Sequence, residues 1–316
     1  MAQPQGAVSV SLSETPSLTE PGGEDALIAA AGTTPLRELW RRFRCQRLAV
    51  AALFVIGLFI LIALLAPLLA PYDPADVFSK LNSGPTGRHW LGTDDNGHDI
   101  LSRLLFGTRV SMRAAFQVVG MALLLALPLG LIAGYARGRI EALIMRCMDA
   151  LFTFPPLLLA LSVTAVLSAG TASLGNALIA ISIVFVPGFV RLVRGEVLAI
   201  REETYVEAAR AIGVRPRRIV LRHVLPNVAS PVVVQLALAC GYAILAEAGL
   251  SFLGLGAGQD TPSWGVMVRR AYDSILDASW PLYPPGIAIL VTVLAFNMIG
   301  DGLRDALGRE TFGRAR

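Results

Sequence analysis

The sequence predicts an all-α membrane protein with six transmembrane helices, and three observations carry that expectation. Of the 316 residues, 54% are hydrophobic and only 16% charged, with a mean hydropathy of +0.62, whereas soluble domains carry roughly a quarter charged residues. The apolar residues fall in uncharged blocks of spanning length instead of stripes around a soluble core. The basic residues, 26 Arg and the single Lys80, collect in the joints between those blocks. Soluble enzyme folds are thereby excluded. The net charge of +4 sits where basic residues set membrane orientation and forms no stripe for phosphates, so no nucleic-acid partner is expected.

Residues 1–35 are rich in Ser, Thr, Pro and Gly, lack Arg and Lys, and carry Glu14, Glu20, Glu24 and Asp25. This composition predicts a disordered tail. A cleavable secretory signal needs a basic start followed at once by a short apolar core, and neither is present. The first apolar block, 48–69, has 22 residues without a charge and follows Arg37, Arg41, Arg42, Arg44 and Arg47. At about 1.5 Å per residue it crosses a hydrocarbon core of about 30 Å. The N-terminal region, 36–113, thus holds one span and an extracytoplasmic segment, and the second block, 114–136, opens the core.

The third block, 150–190, runs 41 residues and is interrupted by the Ser/Gly/Thr-rich stretch 168–176. It reads as two helices and a tight turn, the first helix beginning a little before Ala150. Blocks 224–246 and 279–300 complete six spans and a five-helix core of 114–303, followed by a C-terminal tail of 304–316. Twenty of the 27 basic residues fall on one side of this arrangement and seven on the other, which predicts both termini in the cytoplasm. Pro128, Pro155, Pro156 and Pro187 are expected to kink their spans.

Reactive chemistry is sparse. Cys45, Cys147 and Cys240 are far apart, His89, His98 and His223 are scattered, and no metal or cofactor site is expected. Lys80 lies in Val-Phe-Ser-Lys-Leu, which is no phosphate-cradling loop, so ATP hydrolysis is not expected of this chain. Asp149 and Glu247 lie near opposite span ends and are read as structural or gate-lining groups. Proton coupling would want carboxylates near the middle of several spans.

The joint 201–226 is the most informative stretch. Tyr205, Ala208, Ala209 and Ile212 fall at i, i+3, i+4 and i+7, so a short helix presents a narrow stripe of mostly small residues. Gly213 is placed to stop it, and Pro216 to start a second short helix at its first position. Glu207 is expected to pair with Arg210 or Arg217. Such an elbow suits the close approach of another backbone. It also suits a helix lying on anionic lipid, and spacing alone leaves both readings open.

Glu207-Ala208-Ala209, then Gly213, then Leu225-Pro226 resembles the EAA signature of permease subunits of ATP-binding-cassette importers. That pattern usually has an aliphatic residue two positions before Leu-Pro, and His223 stands there instead, as in the peptide-transporter branch. Trp90-Leu91-Gly92-Thr93-Asp94-Asp95-Asn96-Gly97-His98-Asp99 is similar to the extracytoplasmic segment of dipeptide and oligopeptide (Dpp/Opp) permeases of the C type, which usually carry Arg at the position of His98. The stretches 250–256, 261–265 and 297–307 resemble the end of the same subunits.

The resemblance covers about 36–310 and implies a type I importer permease (MetI-like) architecture in a bacterial inner membrane. It implies three kinds of partner besides membrane lipid: a second permease completing a heterodimer, two cytoplasmic ATPase subunits, and an extracytoplasmic substrate-binding protein. Glu207, Ala208, Ala209, Gly213, His223, Leu225 and Pro226 would couple the chain to the ATPase subunits. The implied cargo is di- or oligopeptide, with nickel or glutathione as alternatives. An ion-driven secondary transporter would need inverted repeats and midplane ionisable groups, which the sequence lacks.

Overall fold

A computed structural model describes residues 35–78, 80–168 and 173–313. The expected tail therefore lies outside the described residues up to position 34, as does the core of the expected turn, 169–172. The chain forms two units, 1–42 and 43–316. Within the first, the described part opens helix α1 (Pro35–Arg44). Everything below concerns the second unit.

Helix α2 (Arg47–Leu69) is built from uncharged Leu, Ile, Ala, Val and Phe and ends before Pro71, which cannot extend it. Its small residues Ala49, Ala52, Ala63 and Ala66 are buried, while Leu53, Phe54, Leu58, Leu61 and Leu64 are exposed. One face thus admits a neighbouring helix closely and the other is suited to acyl chains. Helix α3 (Ile100–Ala136) is capped by Asp99, whose carboxylate accepts the Ser102 N–H at 2.8 Å. Its 37 residues exceed one crossing, so its first turns form part of the end that carries the 71–99 connection.

The expected third span is a broken one. Helices α4 (Arg139–Phe152) and α5 (Pro156–Ser168) meet at 93°. Pro155-Pro156 supplies no backbone N–H and clashes with a continued helix, which turns the expected kink into a break. The helix also begins at Arg139, well before Ala150, because Gly138 at φ +72° releases the chain from α3. Helix α6 (Leu174–Ile200) starts at the Ser173 cap and contains Pro187 without interruption.

An elbow of α7 (Thr204–Ala211) and α8 (Pro216–Ile219) follows, then a π-helical turn, Val220–Val224, that runs into α9 (Leu225–Phe252). Helix α10 (Trp264–Asp273), a 3-10 turn at Trp280–Leu282 and α11 (Tyr283–Gly313) complete the chain. Instead of ending near position 303, the last helix continues to Gly313. Among the described residues, five helices or helix runs are long and apolar enough to cross a membrane, six with the α4–α5 pair as one span. No strand occurs among the described residues, only an isolated Thr93–Asp99 bridge.

Helices α3 and α6 share the most extensive interface. Gly130 and Gly134 make it possible: a β-carbon there would lie 2.6 Å from the β-carbons of Val193 and Val197. The buried core around them is mostly Ala and Val, as close helix approach in a membrane requires. Two ends result, an elbow end with the arginine-rich joints and a loop end with the 71–99 connection and α10.

Candidate functional site

The elbow is built on a line of apolar residues. Val206 and Ala209, three apart on α7, are buried with Ile219, Val224 and Val228 and with Val193 and Val197 of α6. The remaining residues of α7 face away: Tyr205, Glu207 and Ala208 are exposed, and Ile212 just beyond it is 81% exposed. The expected stripe is therefore divided. Ala209 packs inward because Val206 gives that side of the short helix the larger apolar surface, and Tyr205, Ala208 and Ile212 form the outer face.

Gly213 terminates α7 at φ +79°. Its N–H donates to the Arg210 carbonyl at 2.9 Å, and the Val214 N–H donates to the Ala209 carbonyl at 3.1 Å, a six-residue closure that satisfies the helix end. A β-carbon at Gly213 would meet no atom within 4 Å, so the glycine is required by backbone conformation and not by space. Pro216 then opens α8. Beside the turn, Arg215, Arg217, Arg218 and Arg222 border an open groove floored by Val214 and Leu221.

Glu207 makes no ion pair with Arg210 or Arg217 among the described residues. Arg210 instead lies 5.6 Å over the Tyr135 ring of α3. Tyr205 and His223 face one another across the elbow at 6.3 Å, and the Asn227 amide donates to both the His223 carbonyl (2.6 Å) and the Tyr205 hydroxyl (3.3 Å). Leu225 is half-buried and Pro226 exposed in the first turn of α9. At the other side of the elbow, buried Arg201 donates to the Gly134 carbonyl at 3.1 Å, and Arg137 pairs with Glu202 at 2.6 Å. The elbow is thus fastened to α3, α6 and α9.

Asp149 lies near the elbow end on the surface of α4, paired with Arg191 of α6 at 2.6 Å; the guanidinium also covers the Phe152 ring at 4.1 Å. Glu247 is fully buried at the loop end. Its carboxyl accepts the Ser251 hydroxyl at 2.8 Å and the Ser111 hydroxyl at 3.4 Å. Those serines in turn accept the backbone N–H groups of Ala257 and Trp264, so one acid joins α3, α9 and α10.

The loop end also holds a buried ionic cluster that spacing did not reveal. Asp94 accepts the His98 N–H at 2.7 Å and lies 3.6 Å from Arg270 and 3.9 Å from Arg103. His89 pairs with the cap residue Asp99 at 2.9 Å. Burial, reinforced by the adjacent Asp94 carboxylate, pushes Asp95 above its ordinary value against the pull of Arg270. Among the described residues, no group of three His, Cys, Asp or Glu side chains is placed to hold a metal.

A bundle of five to six spanning helices with a fastened helical elbow before the fifth defines a multi-pass transport permease. Residues 126–313 match the binding-protein-dependent transport system inner membrane component family, and 34–85 match the N-terminal transmembrane domain of oligopeptide transport permease C. The chain belongs to that family of inner-membrane transport components, as a permease subunit of an ATP-binding-cassette importer and not an enzyme.

It is 45% identical over 276 residues to the glutathione transport system permease protein GsiD of Pectobacterium atrosepticum, covering 87% of this chain and 91% of the relative. It is also 45% identical over 294 residues to the dipeptide transport system permease protein DppC of Alkalihalophilus pseudofirmus, covering 93% and 95%. The MetNI methionine ABC transporter, solved in an inward-facing conformation, matches 66% of this chain and 97% of its own with a TM-score of 0.55 and 18% identity. That likeness establishes the shared MetI-like fold.

Proposed function

We propose that this permease, paired with a second related subunit, forms half of a pathway that moves short peptides inward. Two cytoplasmic ATPase subunits drive it, and the elbow is where one of them docks. The carrying observation is the divided elbow: Val206 and Ala209 anchor it, while Tyr205, Ala208, Ile212 and the arginines after Gly213 are presented outward. An 81% exposed Ile212 at the end of a fastened helix is a surface awaiting a partner. The elbow end then faces the cytoplasm, consistent with the bias of basic residues, and the loop end faces an extracytoplasmic binding protein. Relatives named for dipeptide and for glutathione, itself a tripeptide, support a peptide cargo.

Thiol cross-linking from an Ile212→Cys variant tests the docking assignment. Cross-linking to the ATPase subunit in membranes of the assembled transporter, altered by ATP, is the expected result. Cross-linking to lipid only, with the ATPase subunit bound as in wild type, would overturn it.

A further inference from the structure

Arginines are rarely turned outward from a membrane-spanning helix, yet α3 turns two. Arg109, Arg113 and Gln117 fall at i, i+4 and i+8, all exposed, on one face with Gly120 and Leu124. Neither guanidinium has an ion pair or hydrogen bond among the described residues. Their depth follows from two contacts. Thr108 shares a groove with Phe59 and Ile62 of α2, and the Phe116 ring meets Phe296 of α11 at 6.1 Å. Arg109 is therefore level with the middle of the uncharged 48–69 stretch of α2, and Arg113 lies about 6 Å deeper.

At that depth the outward residues of α2 are Leu58, Leu61 and Leu64, and those of α11 are Ile287, Leu290 and Leu294, as lipid contact requires. The α3 face differs in kind. Unpaired charges at hydrocarbon depth face a water-filled cavity or a partner group, not acyl chains. Two like charges one turn apart repel, and an anion held between them relieves that repulsion.

We propose that Arg109, Arg113 and Gln117 line the middle of the solute pathway and that the two guanidiniums hold a carboxylate of the passing solute. For a short peptide this is the C-terminal or an acidic side-chain carboxylate, and that detail rests on the peptide reading above. The pathway-lining role does not depend on the cargo.

The test uses the assembled transporter in membranes, with Cys45, Cys147 and Cys240 replaced by Ala and a Gln117→Cys variant added. Negatively and positively charged methanethiosulfonate reagents are compared, with Leu294→Cys as the lipid-facing control. The Gln117→Cys variant is expected to react while the control does not, and about tenfold faster with the anionic reagent. Adding Arg109→Gln and Arg113→Gln should bring that ratio toward one.

Absence of labelling at Gln117→Cys would overturn the pathway assignment, and labelling without anionic preference would overturn the carboxylate subsite. A preference that appears only in purely zwitterionic vesicles and is lost when anionic lipid is added would assign the arginines to lipid headgroups and also overturn it. Uptake separates the cargo reading. Arg113→Gln should raise KM for a free-acid dipeptide about tenfold and leave its C-terminal amide unchanged, whereas failure of wild type to take up either peptide would defeat the peptide cargo alone.

Discussion

Leucine substitutions at the adjacent positions Ala208 and Ala209 should have opposite consequences, because the elbow turns one outward and the other inward. Ala209 is 9% exposed and packs among Val206, Ile219, Val224 and Val228, each wholly buried. Three added carbons have no room there, and overpacking costs about 1–3 kcal/mol. Local opening of α7 should increase by about 5- to 150-fold, read as faster amide hydrogen exchange over Thr204–Ala211. Ala208 is exposed, so leucine there should change stability by less than about 0.5 kcal/mol. If an ATPase subunit approaches that face closely, the same bulk weakens docking by about 1–3 kcal/mol, or about 5- to 150-fold. The assay is titration of purified permease with ATPase subunits alongside the exchange measurement. Wild-type affinity for Ala208→Leu would refute the outer-face assignment, and unchanged exchange in Ala209→Leu would refute the inner one.

Other variants probe the fastening points and the orientation. Gly213→Ala meets no steric neighbour but places an L side chain at φ +79°, at a cost of about 1–2 kcal/mol; uptake per ATP hydrolysed should fall while the Tm of the bundle is kept. Gly130→Ala puts a β-carbon 2.6 Å from the Val193 β-carbon, and the resulting drop in Tm should be partly reversed by adding Val193→Gly, which removes that atom. Glu247→Ala leaves buried serine hydroxyls without their acceptor and should cost about 1–3 kcal/mol in detergent Tm measurements, with Glu247→Gln restoring most of it. Asp149→Asn breaks an exposed pair and should change Tm by less than the equivalent of about 1 kcal/mol. A cysteine at Asn96 should be labelled from outside the cell and one at Arg215 protected, the reverse pattern contradicting the proposed orientation.

The spanning helices were legible because uncharged length is a direct demand of the bilayer, as with 48–69 against α2 (Arg47–Leu69). The Gly213 stop and Pro216 start were legible because each residue acts through its own backbone. What depended on neighbours was not. Ala209 shares its periodic stripe with Ala208, and only the competing side formed by Val206 decides which alanine is buried. Glu207 and Arg210 have good helical spacing, yet Tyr135 from a distant helix takes the arginine. The α4–α5 break was read as a kink because a proline pair does not disclose its angle in sequence. Arg109 and Arg113 were counted with the loop charges because the depth of α3 is set by α2 and α11, not by its own composition.

Uptake into proteoliposomes decides the central claim, that this chain is a transport subunit driven by ATP hydrolysis on separate subunits. The vesicles would contain this permease, its partner permease and the ATPase subunits, with binding protein and labelled dipeptide on the loop side and ATP on the elbow side. The expected result is accumulation that requires ATP, stops when the ATPase subunits are omitted, and is unaffected by collapsing the proton gradient. Accumulation driven by an ion gradient without ATP or ATPase subunits would contradict it.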